Sequence, residues 1–459
     1  MLELESTLSG MPPEAAAARD PDALPPLPPQ PKSVRDTGLE LQLLVELLAK
    51  TILVGGKSHL AMLTGKLRLS INVLREVLDF MLAEQLAEVA WRGDSDIDVQ
   101  YQLTTAGKQR AAGYQERCPY VGPAPVTLEA YRAMVARQAE QAPRVTPEDL
   151  AAVFANDGLA PALRERLGAA MYARRSILLY GPPGSGKTAL ARKLGELVEG
   201  LVALPYAIVV GQEIVALYDP AQHLPPGPRH AQQLRLAGER RGSDPRWVLC
   251  RRPLVALGAE LGLDMLELQR DGYSGCYRAP PQLKANHGIL LIDDLGRQRV
   301  AAADLLRRLS EALDQGQDQL SLQGGHRFAV PLDVALVLAT SLAPAALLDA
   351  AALRRLGYKI EVGALAEANY RSLFRRHCRQ AGLACDEAAL DYLVGQLHGG
   401  SGRALLASLP GEIVGRIADF AGFAGLAPQL SLAALDQAWT SMFAVDAAPA
   451  AAEPQESLQ

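Results

Sequence analysis

The sequence predicts an α/β protein built on a buried parallel sheet, and three stretches carry that prediction. Ser176-Ile177-Leu178-Leu179-Tyr180 is an apolar run that enters the turn Gly181-Pro182-Pro183-Gly184-Ser185-Gly186-Lys187-Thr188. The chain then opens into Ala189-Leu190-Ala191-Arg192-Lys193-Leu194, giving strand, glycine-rich loop and helix in succession. Gly288-Ile289-Leu290-Leu291-Ile292-Asp293-Asp294 is a second apolar run, closed by two carboxylates, as expected of a strand covered on both faces. A third, Val334-Ala335-Leu336-Val337-Leu338-Ala339, ends in Thr340-Ser341, and from 364 to 445 the pattern is almost wholly helical.

The loop fits the P-loop pattern G-x-x-x-x-G-K-[ST] in full and lies where that pattern must lie, between a strand and a helix. Glycines at these positions let backbone N–H groups turn inward around a phosphate chain, and the helix N-terminus adds the positive end of its dipole. Gly181, Pro182, Pro183, Gly184, Ser185 and Gly186 are therefore expected to cradle a nucleotide's phosphates, with Lys187 reaching the β- and γ-phosphates and Thr188 offering its hydroxyl to Mg²⁺. Asp293, at the end of its strand, is the second expected Mg²⁺ ligand. Asp294 is expected to orient or deprotonate the attacking water.

Composition bounds the rest. At 459 residues and 49% hydrophobic, the chain has material for several cores, and a net charge of −5 argues against coating nucleic acid by bulk electrostatics. The five cysteines (Cys118, Cys250, Cys276, Cys378, Cys385) contain no C-x-x-C pair, so neither a zinc site nor a disulfide framework is indicated. The acidic start Met1-Leu2-Glu3-Leu4-Glu5 has no signal-peptide character and no apolar run approaches a membrane span, so a cytoplasmic protein with no membrane partner is expected.

In chain order, residues 1–36 are proline- and alanine-rich and read as a disordered tail. Residues 37–118 read as three helices followed by two strands, Ala87-Glu88-Val89-Ala90-Trp91 and Val99-Gln100-Tyr101-Gln102-Leu103, around the turn Gly93-Asp94-Ser95-Asp96; Ser70 is the expected N-cap of the third helix. Three helices and a two-stranded wing make a winged-helix domain, a form that often places its third helix in the DNA major groove. Here that helix offers Arg75 against Glu76, Asp79, Glu84 and Glu88, and the wing carries Asp94, Asp96 and Asp98. Such charge repels phosphate, which favours docking of a protein over DNA. Residues 119–145 form a proline-containing linker or strap, and 146–363 a core with an insertion at about 219–285. Residues 364–445 form a helical lid and 446–459 a second disordered tail.

The order and spacing of these motifs resemble an AAA+ ATPase module: a P-loop αβα core followed by a helical lid, here over roughly residues 145 to 445. The resemblance implies ATP and Mg²⁺ as ligands, ATP hydrolysis, and assembly into a homo-oligomeric ring, commonly a hexamer. It implies that Ser341 stands at the first sensor position, that Arg354 or Arg355 is the arginine finger offered to the neighbouring subunit, and that Arg403 is the second sensor at the start of a lid helix. Two positions depart from the family: Asp294 stands where Glu is common, and Ser341 where Asn is usual.

Within the insertion, Arg229 to Arg252 holds seven arginines against Glu239 and Asp244, which reads as a mobile loop or a basic surface. The passage through Gly272-Tyr273-Ser274-Gly275-Cys276-Tyr277 to Ala285-Asn286-His287-Gly288 resembles the helix-inserting AAA+ branch that includes MoxR-type chaperones, and the wider combination resembles bacterial ATPases credited with chaperone activity. In that branch the inserted loop touches the client, so Tyr273 or Tyr277 is expected either to do so or to be core. The sequence thus predicts an ATP-driven ring that remodels or regulates an unidentified protein client. The alternative is a DNA-acting regulator using the winged helix or the basic insertion.

Overall fold

A computed structural model describes residues 24–94, 97–155, 157–228, 230–231 and 242–443. The fold is mixed α/β, and its chain divides into two compact units. One comprises Met1–Val145, Leu194–Ile292 and Arg297–Leu336; the other comprises Thr146–Lys193, Asp293–Gly296 and Val337–Gln459. Among the described residues no helix is long and apolar enough to cross a membrane.

The first unit begins with helices Leu41–Gly55, Leu60–Leu67 and Ile71–Ala83, whose apolar stripes meet at Leu48, Leu63, Leu74 and Leu78. Ser70 caps the third helix, its hydroxyl accepting from Val73 N–H, so the helix starts where Ser followed by an apolar period says it should. Strands Ala87–Arg92 and Val99–Leu103 pair antiparallel, and Ser58–His59 adds a short third strand on the far side of Val99–Leu103. Helix Thr105–Arg117 follows.

One sequence expectation about this unit needs correction. The tail placed at 1–36 ends too late. Residues 1–23 lie outside the described residues, but from about Leu27 onward the chain is held: Leu27 joins a hydrophobic core, Val34 is buried, Pro29 bridges Ser243, and Ser70 donates its hydroxyl to Pro31 C=O at 2.6 Å. Proline here pre-sets an extended backbone, so two apolar anchors and a few hydrogen bonds suffice to dock it.

The stretch read as a linker or strap at 119–145 is ordered chain. Val126–Thr127 is a strand and Leu128–Glu140 a helix that buries Tyr131, Met134 and Val135 with Ile208, Val215 and Leu283. Val126–Thr127 pairs with Ala207–Val210 in a mixed sheet that continues through Glu213–Ala216, Tyr277–Arg278 and Gln269–Arg270.

The insertion is only partly loop. Residues 232–241 lie outside the described residues, but Arg246, one of the arginines read as basic surface, is buried. Its guanidinium takes both carboxylate oxygens of Asp244 and donates to Thr37 C=O and Pro125 C=O. Tyr277 is core, whereas Tyr273 is 92% exposed. Leu254–Leu257 pairs in parallel with Ile289–Ile292, whose four residues are all buried.

The second unit holds helix Pro147–Val153, started by a Thr146/Asp149 capping box, then helix Pro161–Tyr172 and strand Ile177–Tyr180. That strand is central to a parallel trio, pairing with Val337–Thr340 on one side and Tyr358–Glu361 on the other. Beyond it, helices Glu367–Gln380, Glu387–Tyr392, Leu409–Phe423 and Leu432–Met442 close around Tyr370, Phe374, Leu390, Ile413 and Leu435.

Candidate nucleotide site

All the site residues expected from the sequence fall in the second unit. Strand Ile177–Tyr180 delivers the chain to Gly181, where φ is +148° and a Cβ would meet Val362 C=O at 2.2 Å. Gly184 and Gly186 also have positive φ, at +79° and +93°. No larger residue follows this path without moving its neighbours, so the glycines are a backbone requirement. Helix Lys187–Lys193 then begins with Lys187 and Thr188 on its first turn.

Lys187 is buried and its ammonium curls back onto the loop, donating to Gly181 C=O at 2.9 Å and Pro182 C=O at 2.8 Å. Burial holds it below the usual lysine range, with Asp294 and Asp293 opposing that shift. Thr188 donates its hydroxyl to Asp293 Oδ1 at 3.1 Å, across 105 residues of sequence. The same carboxylate oxygen accepts from Asp294 N–H at 3.0 Å. Asp294 itself sits at φ +50°, a left-handed conformation that Asp tolerates better than most residues. A hydroxyl and a carboxylate brought together in this way form an all-oxygen donor pair of the kind Mg²⁺ takes.

At the end of the strand closing in Thr340-Ser341, the two hydroxyls are placed differently. Thr340 is fully buried, and its hydroxyl donates to Leu295 C=O at 2.7 Å and accepts from Leu342 N–H at 3.1 Å. Leu295 N–H in turn donates to Ala339 C=O at 2.7 Å. Thr340 thereby fixes the turn that carries Asp293 and Asp294. Ser341, half-buried, is the next residue at the strand's end. The signal for Thr340 was a hydroxyl one place earlier, on the inward side of a fully apolar strand.

Arg354 and Arg355 occupy the last turn of helix Ala350–Arg355, and both are exposed. Arg403 corrects the sequence reading. Gly399–Ser401 ends a helix and does not start one. Gly402, at φ +64°, is its left-handed C-cap, and Arg403 follows with its guanidinium 3.7 Å from the Phe443 ring centroid. The segment after Arg403 is what meets the P-loop: Ser408 N–H donates to Gly184 C=O at 3.0 Å, and a Cβ on Gly186 would lie 3.3 Å from Ala407 Cβ. Nothing in the composition of Leu405-Leu406-Ala407-Ser408 marks it for this position.

Just before Gly399, Leu393–His398 forms a π-helical turn that carries His398 into the helical core. Its Nε2 lies 2.8 Å from the Tyr370 hydroxyl, its Nδ1 lies 3.1 Å from Arg403 C=O, and burial lowers its pKa.

A family model described as "Domain of unknown function (DUF8689)" matches residues 366–441, the C-terminal helices. No curated protein matches the sequence. Among solved structures, the chain is similar to NtrX from Brucella abortus in complex with ATP, at 16% identity and a TM-score of 0.39, over 67% of this chain and 61% of that one. It is also similar to the Thermotoga maritima RuvB Holliday junction branch migration motor, at 15% identity and a TM-score of 0.35, over 66% of this chain and 71% of that one. The chain thus spans less than two thirds of the NtrX chain it matches.

Proposed function

We propose that this chain is a Mg²⁺-dependent ATPase of the AAA+ kind that acts as a ring of identical subunits on a protein client. The observation that carries the reading is the 3.1 Å hydrogen bond from Thr188 to Asp293, with the Lys187 ammonium buried beside them in a loop of positive-φ glycines. Mg²⁺·ATP, when bound there, supplies the cation that neutralises phosphate charge and the anhydride bond to be cleaved. Thr188 and Asp293 hold the cation, directly or through water. Lys187 exchanges its loop carbonyls for phosphate oxygens, and Asp294 orients the attacking water. Arg354 or Arg355, exposed at a helix end, reaches the site of a neighbouring subunit, and Ser341, the residue after its strand, would offer its hydroxyl to the reacting phosphate.

The N-terminal three-helix module supports a protein client more than DNA. Over residues 70–103, Arg75 and Arg92 stand against Glu76, Asp79, Glu84, Glu88, Asp94 and Asp98 among the described residues. Phosphate contact needs the opposite balance. Two measurements test the proposal together. ATP turnover by the full chain should fall by at least about 100-fold in Asp294→Ala, the scale of losing a group that acts on the reacting water. DNA should not bind even at low salt; salt-dependent binding would favour the DNA-acting alternative.

A further inference from the structure

The pair Asp157-Gly158 is the joint between the P-loop helix and the C-terminal helices. The Asp157 carboxylate pairs through one oxygen with Lys193, the last residue of helix Lys187–Lys193, and through the other with Arg376 Nη1 at 3.4 Å, from helix Glu367–Gln380. One residue on, Gly158 C=O accepts from the Asn369 side-chain amide of that same helix. A Cβ at Gly158 would lie 2.7 Å from Asn369 Cβ, and its φ is +62°, so the position is closed to larger residues twice over. The Lys193 ammonium also lies 5.5 Å from the ring centroid of the fully buried Phe154.

These contacts are sheltered. The Asp157, Lys193 and Arg376 side chains are 19%, 26% and 35% exposed, so the attraction is screened less than in a surface pair. One carboxylate holding two cations on two different helices fixes their mutual angle, which neither pair would do alone. Helix Lys187–Lys193 is a rod of roughly 10 Å with Lys187 and Thr188 at one end and Lys193 at the other. The C-terminal helices are tied at Asp157 and return to the loop at Ser408, whose N–H donates to Gly184 C=O. P-loop, P-loop helix, Asp157 and the C-terminal helices thus form a closed circuit of contacts within one unit.

We infer that Asp157 is a positioning residue: by tying Lys193 to Arg376 it sets the angle of the C-terminal helices over the P-loop, and through that angle the affinity for ATP. The inference rests on the ATP reading above. Asp157 does not act on the reacting atoms, so its loss weakens nucleotide binding while leaving the maximal rate nearly intact.

The test is equilibrium titration of the full chain with a fluorescent ATP analogue, together with steady-state turnover. Asp157→Asn should raise Kd and KM about tenfold, the scale of one lost charge contact, with kcat within about threefold. Asp157→Glu, which keeps the charge, should bind nearly as the parent does. Arg376→Gln, a milder change at a more accessible side chain, should raise Kd in the same direction. The double variant Asp157→Asn/Arg376→Gln should bind no more weakly than Asp157→Asn alone, because both remove one shared link. Parent-like affinity in Asp157→Asn and Arg376→Gln, or strict additivity of the two effects, would overturn the inference while leaving the ATP reading standing. A parent chain that binds no nucleotide would overturn the reading, and this inference with it.

Discussion

Two glycine-rich stretches of the second unit, Gly181 to Gly186 and Gly399 to Gly402, look alike as strings of small residues beside a helix, yet they work in opposite directions. In the first, positive-φ glycines precede a helix, and the N–H groups of its first turn converge where an anion is stabilised. In the second, Gly399 and Gly400 continue a helix and only Gly402 is left-handed, closing it so that carbonyls are what the helix end presents. The cation after the first stretch, Lys187, is buried against the loop's own carbonyls. One after the second, Arg403, lies over the Phe443 ring. The comparison shows that glycine content is ambiguous until the direction of the helix is known, and that the side of the helix on which the left-handed residue falls decides the chemistry.

The contrast breaks or sharpens under substitution. The largest effect is expected at Gly181→Ala, where the new Cβ would sit 2.2 Å from the Val362 carbonyl oxygen. The cost should be about 3 kcal/mol in denaturant unfolding, with nucleotide binding lost. Gly402→Ala keeps a left-handed residue in open space, so about 1 kcal/mol is expected, with nucleotide binding unchanged. Equal losses of binding in the two variants would erase the distinction.

A smaller effect follows from His398, which anchors the second stretch through Arg403 C=O and Tyr370. Its pKa is lowered by burial from 6.5, so below that pH the unfolded chain takes up a proton that the native chain refuses. Stability therefore declines as pH falls from 6.5 toward the lower native pKa and then levels off, with a slope of at most about 1.4 kcal/mol per pH unit from this group. His398→Gln should remove that part of the acid sensitivity, measured as urea midpoints across pH 7 to 5. The smallest effect, and one of opposite sign, is expected at Gly400→Ala, a helical position with nothing within 4 Å of the added methyl. It should stabilise by about 0.5–1 kcal/mol.

How much of this was legible in the sequence depended on whether the signal was local. The P-loop, the strand ending in Asp293 and Asp294, and the Ser70 cap each sit in one short run whose residue types have a single good physical use. The sheltered Asp157 joint, the Thr340 clamp and the contact of Ser408 with Gly184 are made between residues far apart in sequence, and each residue taken alone looks like turn, strand or linker. The segment from Leu27 to Asp36 misled for a third reason: its prolines suit a free tail and a docked strap equally, and only the surface around Ser70 and Ser243 distinguishes them. Arg403 misled because Gly-Ser-Gly-Arg fits either end of a helix.

The most direct test of the central claim is equilibrium binding of ATP to the full chain, with and without Mg²⁺, for the parent and for Lys187→Ala. The geometry of Lys187, Thr188 and Asp293 predicts saturable, Mg²⁺-enhanced binding that weakens by at least about 100-fold in Lys187→Ala, the scale of removing a charged donor from a preorganised site. Affinity left unchanged by that substitution, or by withholding Mg²⁺, would contradict the account.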